Sequence, residues 1–299
     1  MKRYLFLLSI LAVVAAVMVS CDEDSLDPES VIVVSTTESN EFDLWLEVNY
    51  VRTYNIDFKY RYEEIEADYD YYTVPADYTQ SVEMAHIVKF MAIEAYDEVA
   101  GIDFTRAYFP KEFFLIGTWE YKNNGTFILG TAEGGRKILL CGINFLDQYM
   151  TSSYNLNYYY LKMIHHEFTH ILNQTIAMPT EYQFVTSDTY LGDEWSNNTS
   201  SSYYLPNGYI SAYSQSEYTE DFAEMMSFYI CYSEEQWDSW LATAGDEGAA
   251  LIETKLNLVK NYMSDSWGID LDELKDCIQR RQENLYAGEV DLLDLSIDD

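Results

Sequence analysis

Apolar residues follow two rhythms along this chain. Around Leu161 they recur at about 3.6 residues, the period of an α-helix. Leu161, Ile164, Phe168, Ile171, Leu172 and Ile176 then form one stripe. His166 and His170 project from the opposite side, while His165 falls within the stripe and reads as a core histidine. From Tyr54 to Tyr62 the period is two. Tyr54, Ile56, Phe58, Tyr60 and Tyr62 point one way, and Asn55, Asp57, Lys59 and Arg61 the other, as in a half-buried strand. Gln80 to Val99 contains no Gly or Pro and predicts a helix packed on that strand, with His86 in a structural role. Three strand-like runs follow: Phe113 to Tyr121, Thr126 to Ala132 and Arg136 to Phe145. Asn124-Gly125 and Gly134-Gly135 separate them and suit tight hairpin turns, which predicts an antiparallel meander.

Beyond the histidine helix, Met178-Pro179 ends the helical period, and a polar stretch runs from Thr180 to about Gly208. Loops of that length are usually functional or mobile. Three helical segments close the chain: Thr219 to Tyr232, Ser233 past Leu241, and Leu271 to Leu285, the last with Asp270 and Glu273 placed for a capping box. There are no internal repeats. The reading is an α+β fold in one domain over residues 46–299. A strand-rich half with an antiparallel or mixed sheet (46–150) precedes a helical half (151–299).

The N-terminus belongs to a different class. Met1-Lys2-Arg3-Tyr4, an apolar run from Leu5 to Val19 and Ser20 make a signal peptide over 1–20. Val19-Ser20-Cys21 resembles a bacterial lipobox with Met18 where Leu is usual, which implies cleavage before Cys21 and lipid on its sulfur. Asp22-Glu23-Asp24 resembles the surface-export signal of Bacteroidetes-type lipoproteins and implies the outer face of the outer membrane. Residues 21–45 then read as the lipidated cysteine and an acidic tether, with Val31 to Val34 as an alternative edge strand.

A formal net charge of −34 excludes binding to nucleic acid through phosphates. Membrane contact would come from lipid, not from a basic patch. The acidity itself reads as solubility. Of the four cysteines, Cys141, Cys231 and Cys277 remain once Cys21 is lipidated. They allow at most one disulfide, lack C-x-x-C spacing, and read as small buried hydrophobes.

The chemistry lies in His166-Glu167-Phe168-Thr169-His170. Histidines four apart stand one helical turn apart on one side and can reach one zinc ion, with the intervening glutamate aimed at a water on it. The bland alternative is a surface pair on an ordinary helix. A catalytic zinc needs a third protein ligand. No histidine follows His170, Ile176 stands six residues on, and Asn173 replaces the glycine of the three-histidine pattern. The third ligand is therefore a carboxylate. Within Tyr218 to Met226, Glu220 and Glu224 lie one turn apart opposite an apolar face. Glu220 is the expected ligand and Glu224 the acceptor behind a zinc-bound histidine. Asp221 and Glu224 stay open as alternative ligands, and a merely solvated acidic face is the alternative to all three.

Tyr213, Glu220 and Glu224 match the spacing in the lethal-factor group of gluzincins, where a Phe stands at the place of Asp221. More widely, Tyr54-Asn55-Ile56, Gly130 to Gly135, the His166–His170 motif and Glu220 to Glu224 resemble the zinc metallopeptidases of Bacteroidetes lipoproteins known as substrate import-associated zinc metallohydrolases. The resemblance covers nearly the whole chain beyond the signal. It implies a zincin-like fold, a Zn2+ cofactor and a setting beside a TonB-dependent importer and its surface lipoprotein. From the positions themselves, Glu167 is the candidate general base, Tyr213 a candidate donor to the oxyanion, and a strand of the sheet a site where a peptide substrate could add. With 28 tyrosines in the chain, Tyr213 also has a packing reading. The competing function is a surface nutrient-binding lipoprotein with a non-catalytic metal. A zinc hydrolase acting on another bond, such as a cell-wall amide, is a further alternative.

Overall fold

Asn40 starts the folded part because it can cap. Its side chain accepts from the Asp43 amide while Asp43 accepts from the Asn40 amide, a reciprocal box opening helix α1 (Glu41–Leu46). Phe42, Trp45 and Leu46 of this helix are buried, and the Phe42 ring lies 4.6 Å from that of Tyr60. One compact unit spans Asn40–Asp299, so the packed chain begins before the tether boundary expected at residue 45. The computed structural model describes residues 38–68, 70–122, 127–133 and 136–297. The signal peptide, Cys21, the acidic run at 22–24, Val31 to Val34 and both glycine dipeptides lie outside the described residues. Among the described residues no helix is long and apolar enough to cross a membrane.

The alternation at Tyr54–Tyr62 survives as burial more than as strand. Tyr54, Ile56, Phe58 and Tyr60 are buried and the residues between them more exposed, yet only β1 (Asp57–Lys59) pairs. Asn55 at φ 56° turns the chain out of the preceding helix into it. A long helical passage then crosses over. It comprises α2 (Tyr78–Ile87), a π-helical turn (Val88–Ile93), α3 (Glu94–Ala100) and, after Gly101 at φ 85°, α4 (Ile102–Tyr108). The chain returns as β2 (Glu112–Leu115), followed by β3 (Glu120–Tyr121), β4 (Phe127–Ile128), β5 (Gly130–Glu133) and β6 (Lys137–Leu140).

The strands do not form the expected antiparallel meander. The main sheet has the order β1-β2-β6-β5, with β1–β2 and β2–β6 parallel and β5–β6 antiparallel, while β3 and β4 form a separate antiparallel pair. A helical crossover joins β1 to β2, which is the connection a parallel pair requires. Phe113 to Leu115 and Ile138 to Leu140 are buried without interruption, so these strands are covered on both faces and carry no alternation that would reveal their neighbours. Gly130 in β5 has a packing reason: a Cβ there would meet the Met163 side chain and the Leu139 carbonyl, each at 2.3 Å. The glycine lets this edge strand lie close to the next helix.

That helix is α5 (Lys162–Thr175), entered through a π-helical turn (Asn157–Leu161). The polar stretch from Thr180 is not a slack loop. It is a string of short helical turns, Tyr182–Val185, Ser187–Thr189, Gly192–Asn197, Ser201–Tyr204 and Leu205–Asn207, anchored by buried Tyr182 and Leu205. Helix α6 (Tyr218–Cys231) packs along α5, and α7 (Glu234–Trp267) extends far beyond Leu241, tolerating a break at Gly245 (φ 70°). Helix α8 (Leu271–Tyr286) is capped by Asp270, whose side chain accepts from the amides of Asp272 and Glu273. The three remaining cysteines are free and buried. His86 is structural: its ring nitrogens lie 2.9 Å from the carbonyls of Val82 and Asp294, and it stacks on Trp45.

Candidate metal centre

Helix α5 buries Ile164, Phe168, Ile171 and Leu172 in the core, and His166 and His170 leave by the other side. Ile176, expected in the stripe, instead closes the helix in extended conformation and is 38% exposed. His165 is fully buried, with Nδ1 3.2 Å from the Tyr96 hydroxyl. Burial drives its pKa down to about 3, so it stays neutral and away from the metal side.

Helix α6 brings a carboxylate to the two imidazoles. Glu220 Oε2 is 3.0 Å from His166 Nε2 and 3.3 Å from His170 Nε2, and the two ring nitrogens are 3.1 Å apart. Three side chains thus aim one atom each at a single point, where a metal ion could sit. Two nitrogens and one oxygen suit zinc, and a tetrahedral zinc with bonds of about 2.0–2.1 Å places neighbouring ligand atoms about 3.3–3.4 Å apart. The residues present fit that ion. The other acids of α6 are engaged elsewhere. Asp221 is buried against Lys255 at 2.6 Å, and Glu224 lies behind His166, with Oε1 2.8 Å from Nδ1.

Charge in the cluster is finely balanced. Burial alone would lower the His166 pKa, but the Glu220 and Glu224 carboxylates outweigh it and raise it to about 10. Burial would raise the Glu220 pKa, yet His166 and His170 hold it well below the usual carboxylate range. Glu224 is likewise opposed by burial and is pulled down to about 2 by Lys162 and His166.

Glu167 and His170 line a cleft of about 670 Å³ beside this point, together with Thr131 of β5, Asn173, Tyr213 and Glu220. Tyr213 is 37% exposed, with its ring 6.0 Å from that of His166. Burial, followed by the negative charge of Glu220, pushes its pKa far above 10. Its hydroxyl is a donor at any working pH.

The family model described as "Putative zinc-binding metallo-peptidase" matches residues 35–272. The chain belongs to that family. A crystal structure bearing the same description, from Bacteroides caccae, superposes with a TM-score of 0.75 at 43% identity, covering 89% of this chain and all of that one. No curated protein matches. Family membership makes this chain a zinc metallohydrolase, and His166, His170 and Glu220 are a group that could hold a metal ion.

Sequence reasoning missed three residues of this metallopeptidase's site. Lys162 Nζ lies 2.8 Å from Glu224 Oε1, and the Ser211 hydroxyl donates to Oε2 at 2.7 Å. Together they complete the partners of a carboxylate that is only 1% exposed. Lys255 Nζ lies 2.6 Å from Asp221 Oδ2. The one available signal was a lysine one turn before His166 on the helix that buries it; Ser211 and Lys255 left none.

Proposed function

We propose that this metallohydrolase is a gluzincin-type peptidase with a zincin-like fold, in which His166, His170 and Glu220 hold zinc. Bound there, zinc supplies Lewis acidity, lowering the pKa of a water toward about 7 and polarising the scissile carbonyl. The chain's own residues do the rest. Glu167 projects from α5 into the cleft, takes the proton of the attacking water and delivers it to the leaving amine. Tyr213 donates to the oxyanion developing at the carbonyl. Glu224 Oε1, 2.8 Å from Nδ1 of His166, places a negative charge behind that ring and favours the proton on Nδ1, which leaves Nε2 for the metal. Strand β5 is a sheet edge, and its Thr131 lines the cleft, so an extended peptide can pair beside it.

The observation that carries this reading is the convergence of Glu220 on the two imidazoles while Glu224 backs one of them. Metal analysis combined with a peptide-library digest tests it. Wild type should hold one zinc and cut peptides. Glu167→Gln should keep the zinc and lose turnover by about 10²- to 10⁴-fold. Retained turnover in Glu167→Gln rejects its role as base, and a protein that holds zinc without cutting any peptide favours the nutrient-binding alternative. The reading extends to a setting. Residues 1–20 are a signal peptide, Cys21 carries lipid, and the enzyme works on peptide or protein at the outer-membrane surface beside a TonB-dependent importer and its lipoprotein.

A further inference from the structure

Lys255 has no solvent exposure and sits where an aliphatic side chain would be expected. Its Nζ lies 2.6 Å from Asp221 Oδ2 and donates to the Gly208 carbonyl at 2.9 Å. The ammonium is 4.1 Å from the centre of the Tyr209 ring, with the rings of Tyr190 and Tyr182 near 6 Å, at 5.9 and 6.0 Å. The Tyr190 hydroxyl donates to the same Asp221 oxygen at 2.9 Å. One cation on α7 thus gathers the first turn of α6 and the segment linking α5 to α6. That segment continues from Tyr209 to Tyr213 in the cleft.

Burying two charges is costly, and apolar residues of similar volume usually serve stability as well or better. Stability is therefore a weak reason for this pair. A second observation supplies a better one: the first turn of α6 has no side-chain cap, since Glu217 at its N-cap makes no such bond. A helix start of that kind frays unless something holds it. Asp221 is adjacent to Glu220, about 100° further round the helix. Drawing Asp221 inward to Lys255 sets the rotation of the turn and leaves Glu220 aimed at His166 and His170.

We infer that Lys255 and Asp221 are positioning residues of the metal centre, a buried ionic tie that fixes the Glu220 carboxylate. The inference rests on Glu220 being a zinc ligand. It also gives a physical reason for an aspartate at a position where the lethal-factor group has a Phe.

Zinc affinity, by competition with a chromophoric chelator, and the melting temperature of the metal-free protein separate positioning from simple structure. Lys255→Met should lower both, with zinc binding about tenfold weaker or more, the range seen when groups supporting a ligand are removed. The nearly isosteric Asp221→Asn/Lys255→Met should recover the melting temperature and still bind zinc about tenfold more weakly. Lys260→Met, at the exposed pair with Asp272, should change neither. If Lys255→Met fails to fold, the double variant carries the test alone. Wild-type zinc affinity in the double variant, or in Lys255→Met, overturns the tie. A wild-type protein that takes up no zinc overturns the ligand assignment beneath it.

Discussion

Two ionic clusters, one under the sheet and one behind the metal centre, use the same distances to different ends. At the sheet, Glu66 lies 2.7 Å from Lys59 and 2.9 Å from Lys137, and its side chain is 23% exposed. Behind the histidines, Glu224 lies 2.8 Å from Lys162 and 2.8 Å from His166 and is almost wholly enclosed. Both carboxyls end with a pKa near 2, by opposite routes. Glu66 is lowered mainly by its hydrogen bonds to the lysines, with little burial to overcome. Glu224 must first overcome burial, the largest influence on it, before Lys162 and His166 bring it to the same value. The lesson is that bond length does not measure dependence. Where water can replace a partner, losing it matters little; where water is excluded, the survivor is stranded.

Glu224→Ala should break the comparison hardest. It leaves the Lys162 ammonium and the His166 ring without their carboxylate in a dry site, costing about 3–5 kcal/mol in the denaturant-derived stability of the metal-free protein. Zinc should also bind about 10- to 100-fold more weakly. A loss no larger than that of an exposed pair would show that water reaches the site.

His165 offers an intermediate effect and a test of how dry this side of α5 is. Its folded pKa is about 3 and its ordinary value 6.5, so between those limits the unfolded chain takes up a proton that the folded chain refuses. Its contribution is complete above about pH 6.5 and is lost as pH falls toward 3, at about 1.4 kcal/mol per pH unit. Stability measured at pH 7.5 and pH 5 should therefore fall by about 2 kcal/mol more in wild type than in His165→Leu. Parallel pH profiles would mean that the ring is hydrated.

The smallest effect belongs to the sheet. Glu66→Ala should cost about 1 kcal/mol or less, and added salt should reduce the difference further. A cost matching that of Glu224→Ala would erase the distinction between the two regions.

Much of the helical half was legible because its signals are local. Four apolar positions, Ile164, Phe168, Ile171 and Leu172, and two histidines set both faces of α5, and Asp270 announced the start of α8. The sides taken by Tyr54, Ile56, Phe58 and Tyr60 were equally plain, even though only three residues pair as strand. The parallel order β1-β2-β6 was not legible. Strands buried on both faces look alike whichever neighbour they take, and the glycine dipeptides suggested only neighbours in sequence.

The sequence by itself determined that two imidazoles share a helix side, that no histidine follows them, and that an acid-bearing helix does. Which acid meets the histidines was decided by tertiary packing. Glu220, Asp221 and Glu224 leave α6 in directions set by about 100° per residue, and any of them could have faced a helix 50 residues earlier. The seating of α6 on α5, with Asp221 beside Lys255 and Glu224 beside Lys162, goes with Glu220 facing His166 and His170. Periodicity specifies angles about one helix axis, whereas a coordination site also needs the relative rotation of two helices, which only their packed side chains can supply.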